Sequence, residues 1–474
     1  MNLYQDSFEF ARLALQRGTA LMYFVAFLSA LHQFRPLLGE NGLLPVPLYL
    51  KRISFKRAPS IFHYHYSDRF LSAVCWLGLS LSVAALSGWS ESGPIWLSIT
   101  VWLSMWVIYL SLVNVGQTFY GFGWESMLLE AGFFVSFLGP RTVAASFIPI
   151  FILRWMLFRT ELGAGLIKLR HDQCWRDLTC LNYHYETQPL PNPTSWYFHR
   201  LPVWFHKASV AGSHVVQLVL PFGLFAPQPV ASICAVLIIS QQVWLIVAGN
   251  YSWLNWLTVV LGFSGLGDST LGWSANSAPR PFAFEAVLWA LLAVTLWLSI
   301  EPTKNFFSRN QKMNASYNPL KLVNSYGAFG SMTRERYEVV LEGTLDPFGG
   351  EGWKEYGFKA KPGDPSRMPP QIAPYHLRLD WQMWFLPFTA RVIGGEVRVF
   401  RQQAWFSNFV VKLLEGDVQT LSLIRENPFP DEPPAYIRAR YYRYRYTGWQ
   451  EKRETGRWWN RELVGNYLNA CSLK

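Results

Sequence analysis

Three charged residues spaced seven apart, Arg154, Glu161 and Lys168, are the first candidates for chemistry in this chain. They fall in a segment from about residue 143 to 169 that the pattern assigns to one helix. A heptad step leaves successive positions only about 20° out of line, so the three charges share a face. Ionisable groups within a membrane span turn toward the bundle interior, where they pair or line a cavity. Glu125 and Glu130 on a neighbouring segment are the natural partners, and His184 or His206 can cap the cavity from the loop that follows. Two readings stay open. Either Glu125, Glu130, Arg154, Glu161 and Lys168 form a charge network that holds helices together, or Lys168 is a catalytic base beside Glu161 and His184, its pKa lowered by burial. The first needs no catalytic residue and is the expectation.

A second constellation points to recognition. Leu181 to Pro202, LNYHYETQPLPNPTSWYFHRLP, is too polar to cross a bilayer yet lies between apolar segments, so it belongs to a membrane surface. Its prolines limit the backbone freedom lost on ordering, and a rigid aromatic loop suits binding. Just before it, Cys174 and Cys180 bracket WRDLT and would form a disulfide if the loop faces an oxidising compartment. A zinc site would have to recruit His171 and His184, without CxxC or HxxxH spacing to support it. Neither metal nor cofactor is expected.

The elements that must position these residues are helices in a bilayer. Hydrophobic residues make up 51% of the chain and charged ones only 15%, against about 25% charged in ordinary soluble domains. Apolar stretches near 19–34, 70–87, 94–113, 127–138, 143–158, 210–226, 230–248, 253–266 and 282–300 approach the roughly 20 residues needed to cross the hydrocarbon core. Six to nine crossings are expected, without a cleavable leader. Orientation stays open: Arg35, Lys51, Arg52, Lys56, Arg57 and Arg69 make one loop basic, while Arg170, Arg176, Arg200 and Lys207 make another so.

Charge density rises after Pro302, where the net charge is +8 against +3 before it. The chain therefore divides into a multi-span helical domain, 1–302, which includes a surface loop at 170–208, and an extramembrane domain, 303–474. In the second, Tyr337 to Gly343 and Trp353 to Lys361 alternate around a Gly-rich acidic turn and read as a β-hairpin. Ala435 to Thr447 reads as a strand with Tyr442, Tyr444 and Tyr446 on one face and Arg443 and Arg445 on the other. DWQMWFL and WFSNFVVKLLEG read as helices, the second closed by Gly416. The fold class is a polytopic α-helical membrane bundle with a C-terminal mixed α/β, strand-rich extramembrane domain. No phosphate-binding glycine loop, GxSxG elbow or HExxH is present, and nucleic acid is not an expected partner. A transporter is disfavoured by the lack of an internal repeat.

Several separated blocks resemble the lipase maturation factor family. They are GFGWESMLLEAGF (121–133), CWRDLTCLNYHYETQPLPNPTSWY (174–197), WFHK (204–207), GNYSWLNWLT (249–258), NSYGAFGSMTRERYEVVLEG (324–343), KPGDPSRMPPQIAPYHLRLDWQMWF (361–385) and NPFPDEPPAYIRARYYRYRYT (427–447). The resemblance implies a membrane-anchored maturation factor that assists folding and assembly of client proteins, secreted lipases among them. It implies an integral protein of the endoplasmic reticulum membrane in a eukaryotic host, or of the cytoplasmic membrane in a bacterial one, with client and membrane lipid as partners. His184, Tyr185, Glu186, Gln188, Trp196, Tyr197, Trp381 and Trp384 are then the candidate client-binding residues, because exposed aromatic side chains recognise unburied apolar surface. Ala164 to Leu169 with Asp172 and Trp175 is also similar to a short segment of the membrane domain of vitamin K-dependent gamma-carboxylase, in which a lysine is the base. On that likeness Lys168 would be the base of a membrane enzyme acting on a lipid-like or protein substrate.

Overall fold

A computed structural model describes residues 7–273, 277–346, 348 and 350–473. The principal helices are α1 (Glu9–Leu38), α2 (Asp68–Ser87), α3 (Ile95–Val115), α4 (Gly123–Val135), α5 (Phe147–Arg170), α6 (Leu181–Thr187), α7 (Val203–Leu218), α8 (Val230–Ala248), α9 (Leu254–Gly262) and α10 (Phe282–Leu298). Their ends carry the expected stops and starts. Ser67 accepts from the Phe70 amide at 3.1 Å to open α2, and Gly88, at φ +87°, closes it in a conformation that only glycine adopts cheaply.

Among the described residues, five helices are long and apolar enough to cross a membrane: α1, α2, α3, α8 and the run Phe282–Phe307. This is fewer than the six to nine expected. The apolar stretches near 127, 143, 210 and 253 became α4, α5, α7 and α9, which are too short or too charged to meet that description. The reason is position. Nearly every residue of α4 and most of α5 are buried among other helices, so protein rather than lipid surrounds their polar groups and neither length nor uniform apolarity is required. Lipid-facing side chains such as Trp76, Val236, Trp289 and Trp297 lie on the longer helices and are exposed.

Side-chain contacts mark the two ends of the bundle. At one end Arg12 donates to the Pro140 and Val143 carbonyls, Arg17 reaches Glu91 at 2.6 Å, and Arg154 donates to the Ser264 carbonyl. At the other, Gln33 donates to the His376 carbonyl at 2.7 Å and Asn114 to the Pro319 carbonyl, so the ends of α1 and α3 meet the C-terminal domain. The loops near 39–67 and 171–202 lie at this second end. Both basic loops therefore sit on the same side as the tail and cast one vote rather than two opposed ones.

The tail builds a four-stranded antiparallel sheet, ordered β2-β1-β5-β6, from β1 (Arg336–Thr344), β2 (Lys354–Glu355), β5 (Tyr436–Tyr446) and β6 (Trp459–Cys471). A separate hairpin pairs β3 (Ala390–Ile393) with β4 (Glu396–Val399) around Gly394 and Gly395, both at positive φ, which suits a two-residue hairpin turn. Helices α11 (Arg378–Phe385) and α12 (Ala404–Leu414) pack beside them, and Gly416 has the left-handed conformation, φ +66°, expected of a helix stop. The expected hairpin is shorter than its pattern. Only Lys354 and Glu355 pair with β1, because the arm is then drawn off by the Asp380 carboxylate, which accepts from the Ala360 and Lys361 amides at 2.6 and 2.9 Å. The long partner of β1 is instead β5, from Arg336 opposite Tyr444 to Thr344 opposite Tyr436.

Strand β5 changes the face it buries. Ile437, Ala439 and Tyr441 are buried in its first half and Tyr444 and Tyr446 in its second, and the pairing with β6 shifts register between Tyr441 and Tyr442. Two residues of the tyrosine face are covered: Tyr446 stacks on Trp459 with centroids 4.0 Å apart, and Tyr444 and Trp196 of the loop pack into the same cluster.

Cutting the chain after Thr303 removes Arg378 and Asn324, whose contacts with Glu125 and Glu130 are described below. Glu130 keeps Arg159 but Glu125 loses its cation, so the truncated bundle is expected to melt well below the full chain in detergent, by an amount corresponding to about 3 to 5 kcal/mol for that one unpaired carboxylate. An unchanged melting temperature would show that the bundle stands alone.

Candidate functional site

The charges of the bundle are partnered differently from the expected network. Glu125 does not meet the Arg154–Lys168 stripe; its Oε1 accepts from Arg378 of the tail at 2.7 Å, and its Oε2 from the Tyr109 hydroxyl. Glu130 pairs with Arg159, a residue of α5 outside the heptad stripe, and also accepts from the Asn324 amide at 2.8 Å and the Tyr326 hydroxyl at 2.7 Å. Arg154 donates to backbone carbonyls, at Leu224 and Ser264. Glu130 alone closes with α5, on the face turned toward α4 and not through the heptad stripe, whereas Glu125 closes with Tyr109 and with the tail. The tail's contribution is invisible to span periodicity.

Glu161 and Lys168 are each held by an amide. Gln242 donates to Glu161 at 2.7 Å and in turn accepts from Asn255 at 2.6 Å, while Lys168 donates to Gln217 at 2.8 Å and lies 4.8 Å from the centre of the Trp175 ring. Glu161 Oε2 and His184 Nδ1 are buried without a hydrogen-bond partner. Cys174 and Cys180 form a disulfide next to Trp175, with Cα atoms 4.8 Å apart.

The aromatic loop is a wedge between bundle and tail. Helix α6 opens it, and Tyr251 donates to Gln188 Oε1 at 2.6 Å while lying 2.7 Å from His184 Nε2. One hydroxyl carries one proton, so His184 is the neutral tautomer with Nε2 donating to Tyr251. Burial, helped by the charge of Lys168, lowers the His184 pKa to about 3. Gln188 Nε2 donates to Ser195 at 2.6 Å, and Asn192 to the Val247 carbonyl at 2.8 Å. The tail clamps the outer side. Arg336 donates to the carbonyls of Glu186, Gln188 and Pro189 and pairs with Glu338, which Lys361 also approaches at 2.8 Å. The Tyr446 amide donates to the Glu186 carboxylate, Trp196 Nε1 to the Thr447 carbonyl at 3.0 Å, and Trp384 Nε1 to the Thr187 carbonyl at 3.2 Å. Burial raises the pKa of Glu186 against the pull of that amide.

The eight residues expected to meet a client thus divide. His184, Tyr185, Gln188, Trp196 and Trp381 are buried, and Glu186 is spent on the tail, so these six hold the structure and present no surface to a partner. Their proline-rich, aromatic composition marked a rigid loop correctly, but rigidity here comes from being packed. Tyr197 is exposed and Trp384 half-buried. Trp384 lines the last of three adjoining hollows, of about 320, 580 and 790 Å³, that run from Phe122 at the bundle end past Phe385 and Phe388 to Arg334 and Tyr337. The apolar residues of this groove, and Arg391 and Arg401 on its walls, carried no motif and were missed.

The lipase maturation factor transmembrane domain matches residues 10–273, and the lipase maturation factor C-terminal domain matches residues 322–469. Lipase maturation factor 1 of Mus musculus is 39% identical over 519 residues, covering 100% of this chain and 89% of the relative. The Homo sapiens protein of the same name is 39% identical over 518 residues, with 100% and 90% covered. Lipase maturation factor 2 of Homo sapiens is 28% identical over 599 residues, with 96% and 82% covered. No solved structure matches the chain.

The buried histidines give the loop a pH signature. Unfolded histidine takes a proton below about pH 6.5, whereas His184 stays neutral to about 3, and His376 and His199 to about 4. The unfolded state then binds more protons, so stability is lost as pH falls from about 6.5 toward those values. His184→Gln is expected to flatten this slope by up to about 1.4 kcal/mol per pH unit, read from melting temperatures between pH 7 and 5; an unchanged slope would mean that His184 is protonated in the folded protein. With both domains matched and the full-length relatives aligned over nearly the whole chain, the chain belongs to the lipase maturation factor family.

Proposed function

We propose that this integral membrane protein is a maturation factor that helps lipase-like clients to fold and assemble, and that it does so without catalysing a covalent step. The observation that carries the reading is the similarity over the whole chain, bundle and tail together, to proteins named lipase maturation factors. The tail is the working part. It is fixed to the bundle end by buried ion pairs and by the wedge loop, so any client it holds is held at a set distance from the membrane.

The disulfide supports a side for this work. Cys174–Cys180 lies at the same end as the tail, and thiols persist as disulfides in oxidising compartments such as the endoplasmic reticulum lumen rather than in the cytosol. The basic loops at that end would vote for the cytosol under the positive-inside rule. The disulfide outweighs them, because a charge bias is statistical whereas a cytosolic cystine would be reduced. In a eukaryotic host this supports a tail on the lumenal side, where secreted lipases fold.

The enzyme reading rests on Lys168. Its ammonium donates to the Gln217 amide and sits over the Trp175 indole, contacts that fix its position, and substitution separates a structural charge from a base. In cells lacking their own maturation factor, expression of this chain is expected to restore lipase activity in the medium. Lys168→Arg should keep most of that activity, since the charge survives. Lys168→Met should lower protein level, by a stability loss on the order of 3 kcal/mol. An abundant but inactive Lys168→Arg protein would overturn the non-catalytic reading, because arginine cannot deprotonate at working pH.

A further inference from the structure

Beside Trp384, large aromatic side chains outside the spans cluster in the open along a groove. Phe388 is 51% and Phe400 62% exposed, and the Trp384 ring lies 4.8 Å from Phe388 and 5.0 Å from Phe385. Exposed aromatics on the helices face lipid, but these are carried by α11, by the turn after it and by the end of the β3–β4 hairpin. They have no bilayer to explain them.

Two further features define what would fit. Arg391 and Arg401 stand on the walls, Arg391 with its guanidinium 5.8 Å from the Phe400 ring centre, and among the described residues neither is paired with a carboxylate. The other charges there are spent: Arg334 on Asp172 at 2.7 Å, Glu335 on Arg443 at 3.2 Å, and Arg336 on Glu338. The groove therefore presents two uncommitted positive charges on an aromatic floor. In addition β3 is paired on one side only, with β4, and its other side borders the largest hollow through Ala390, Arg391 and Val392. Its backbone amides and carbonyls are available to an added strand, which gives affinity without demanding a particular sequence.

We propose that this groove is the client-docking site and that it takes an extended segment in which acidic residues alternate with aromatic or aliphatic ones. The segment lies along β3 as an added strand. Its apolar side chains enter the hollows against Trp384, Phe388 and Phe400, and its carboxylates meet Arg391 and Arg401. Alternation follows from strand geometry, since successive side chains point to opposite sides. Such segments are what a partly folded protein exposes and a finished one hides, so binding would weaken as the client folds. The open strand edge favours a peptide over a phospholipid headgroup, which offers no backbone to pair. This inference rests on the maturation reading.

The test uses the full chain in neutral lipid nanodiscs. The probes are a fluorescent synthetic peptide alternating glutamate with phenylalanine and leucine, the same peptide with lysine replacing glutamate, and phosphatidylserine vesicles. The acidic peptide should bind, the Arg391→Glu/Arg401→Glu protein should bind it at least about tenfold more weakly and prefer the lysine peptide, and Phe388→Ser should weaken both. All three positions are exposed, so membrane levels should not change. In the lipase-rescue assay the double variant should secrete clearly less active lipase than the unsubstituted chain. Equal binding of the acidic peptide by the double variant, or binding of phosphatidylserine vesicles alone, would overturn the docking proposal. So would full rescue by the double variant. Failure of the unsubstituted chain to rescue, with peptide binding still charge-dependent, would sink the lipase reading and uphold the groove.

Discussion

A single guanidinium of the tail, Arg378, sits inside the end of the membrane bundle, and the rest of the structure follows from the need to satisfy it. It donates to Glu125 at 2.7 Å and to the Phe119 carbonyl at 2.8 Å, and it lies 3.4 Å from the centre of the Tyr120 ring. His376 completes the group, 3.5 Å from the same carboxylate oxygen and held neutral by burial and by the charge of Arg378, with a pKa near 4. Charges buried this completely cost several kcal/mol each to remove from water and are tolerable only when paired and hydrogen-bonded. Neither the bundle nor the tail can close this site alone. Glu125 without Arg378 is an uncompensated charge at the end of a helix bundle, so the two domains are obliged to stay together.

The wedge loop repeats the logic a second time on the outer side. Arg336 reaches from the first residue of β1 to the carbonyls of Glu186, Gln188 and Pro189 in the loop, groups that a proline-rich turn leaves without partners of its own. Glu338 balances that charge, shared with Lys361. The side-chain amides of Gln188 and Asn192 tie the loop's inner side to the end of α8, and the disulfide closes the loop's own first turn. The result is a platform whose orientation to the membrane is set by two buried arginines. A fixed platform costs less binding free energy than one that has to be ordered along with what it binds.

The bundle, the strands β1 and β5, the helix stop at Gly416 and the cystine were all legible in the sequence, because each rests on local pattern or on short spacing. What was not legible depended on distant contacts. Glu125 and Glu130 looked like partners for α5 alone, yet Arg378 lies 253 residues from Glu125 in the chain, and nothing in HLRLDWQMWF marks its arginine as a bundle residue. The short reach of β2 came from Asp380, twenty residues from Ala360. The loop's aromatic residues suggested recognition by their type, and type alone does not distinguish a side chain offered to a partner from one packed against the protein's own tail. The groove was missed for the opposite reason: Phe388, Arg391, Phe400 and Arg401 are unremarkable until the hairpin brings them together.

The claim that buried charge welds tail to bundle is tested most directly by a double-mutant cycle on Glu125→Gln and Arg378→Met, with unfolding of the full chain followed in detergent. Each single change should be strongly destabilising and the double change much less than their sum, leaving a coupling of about 2 to 3 kcal/mol. Additive effects, with coupling near zero, would contradict the account, because they would mean that the two groups are solvated separately and that the tail is only loosely tethered to the membrane domain.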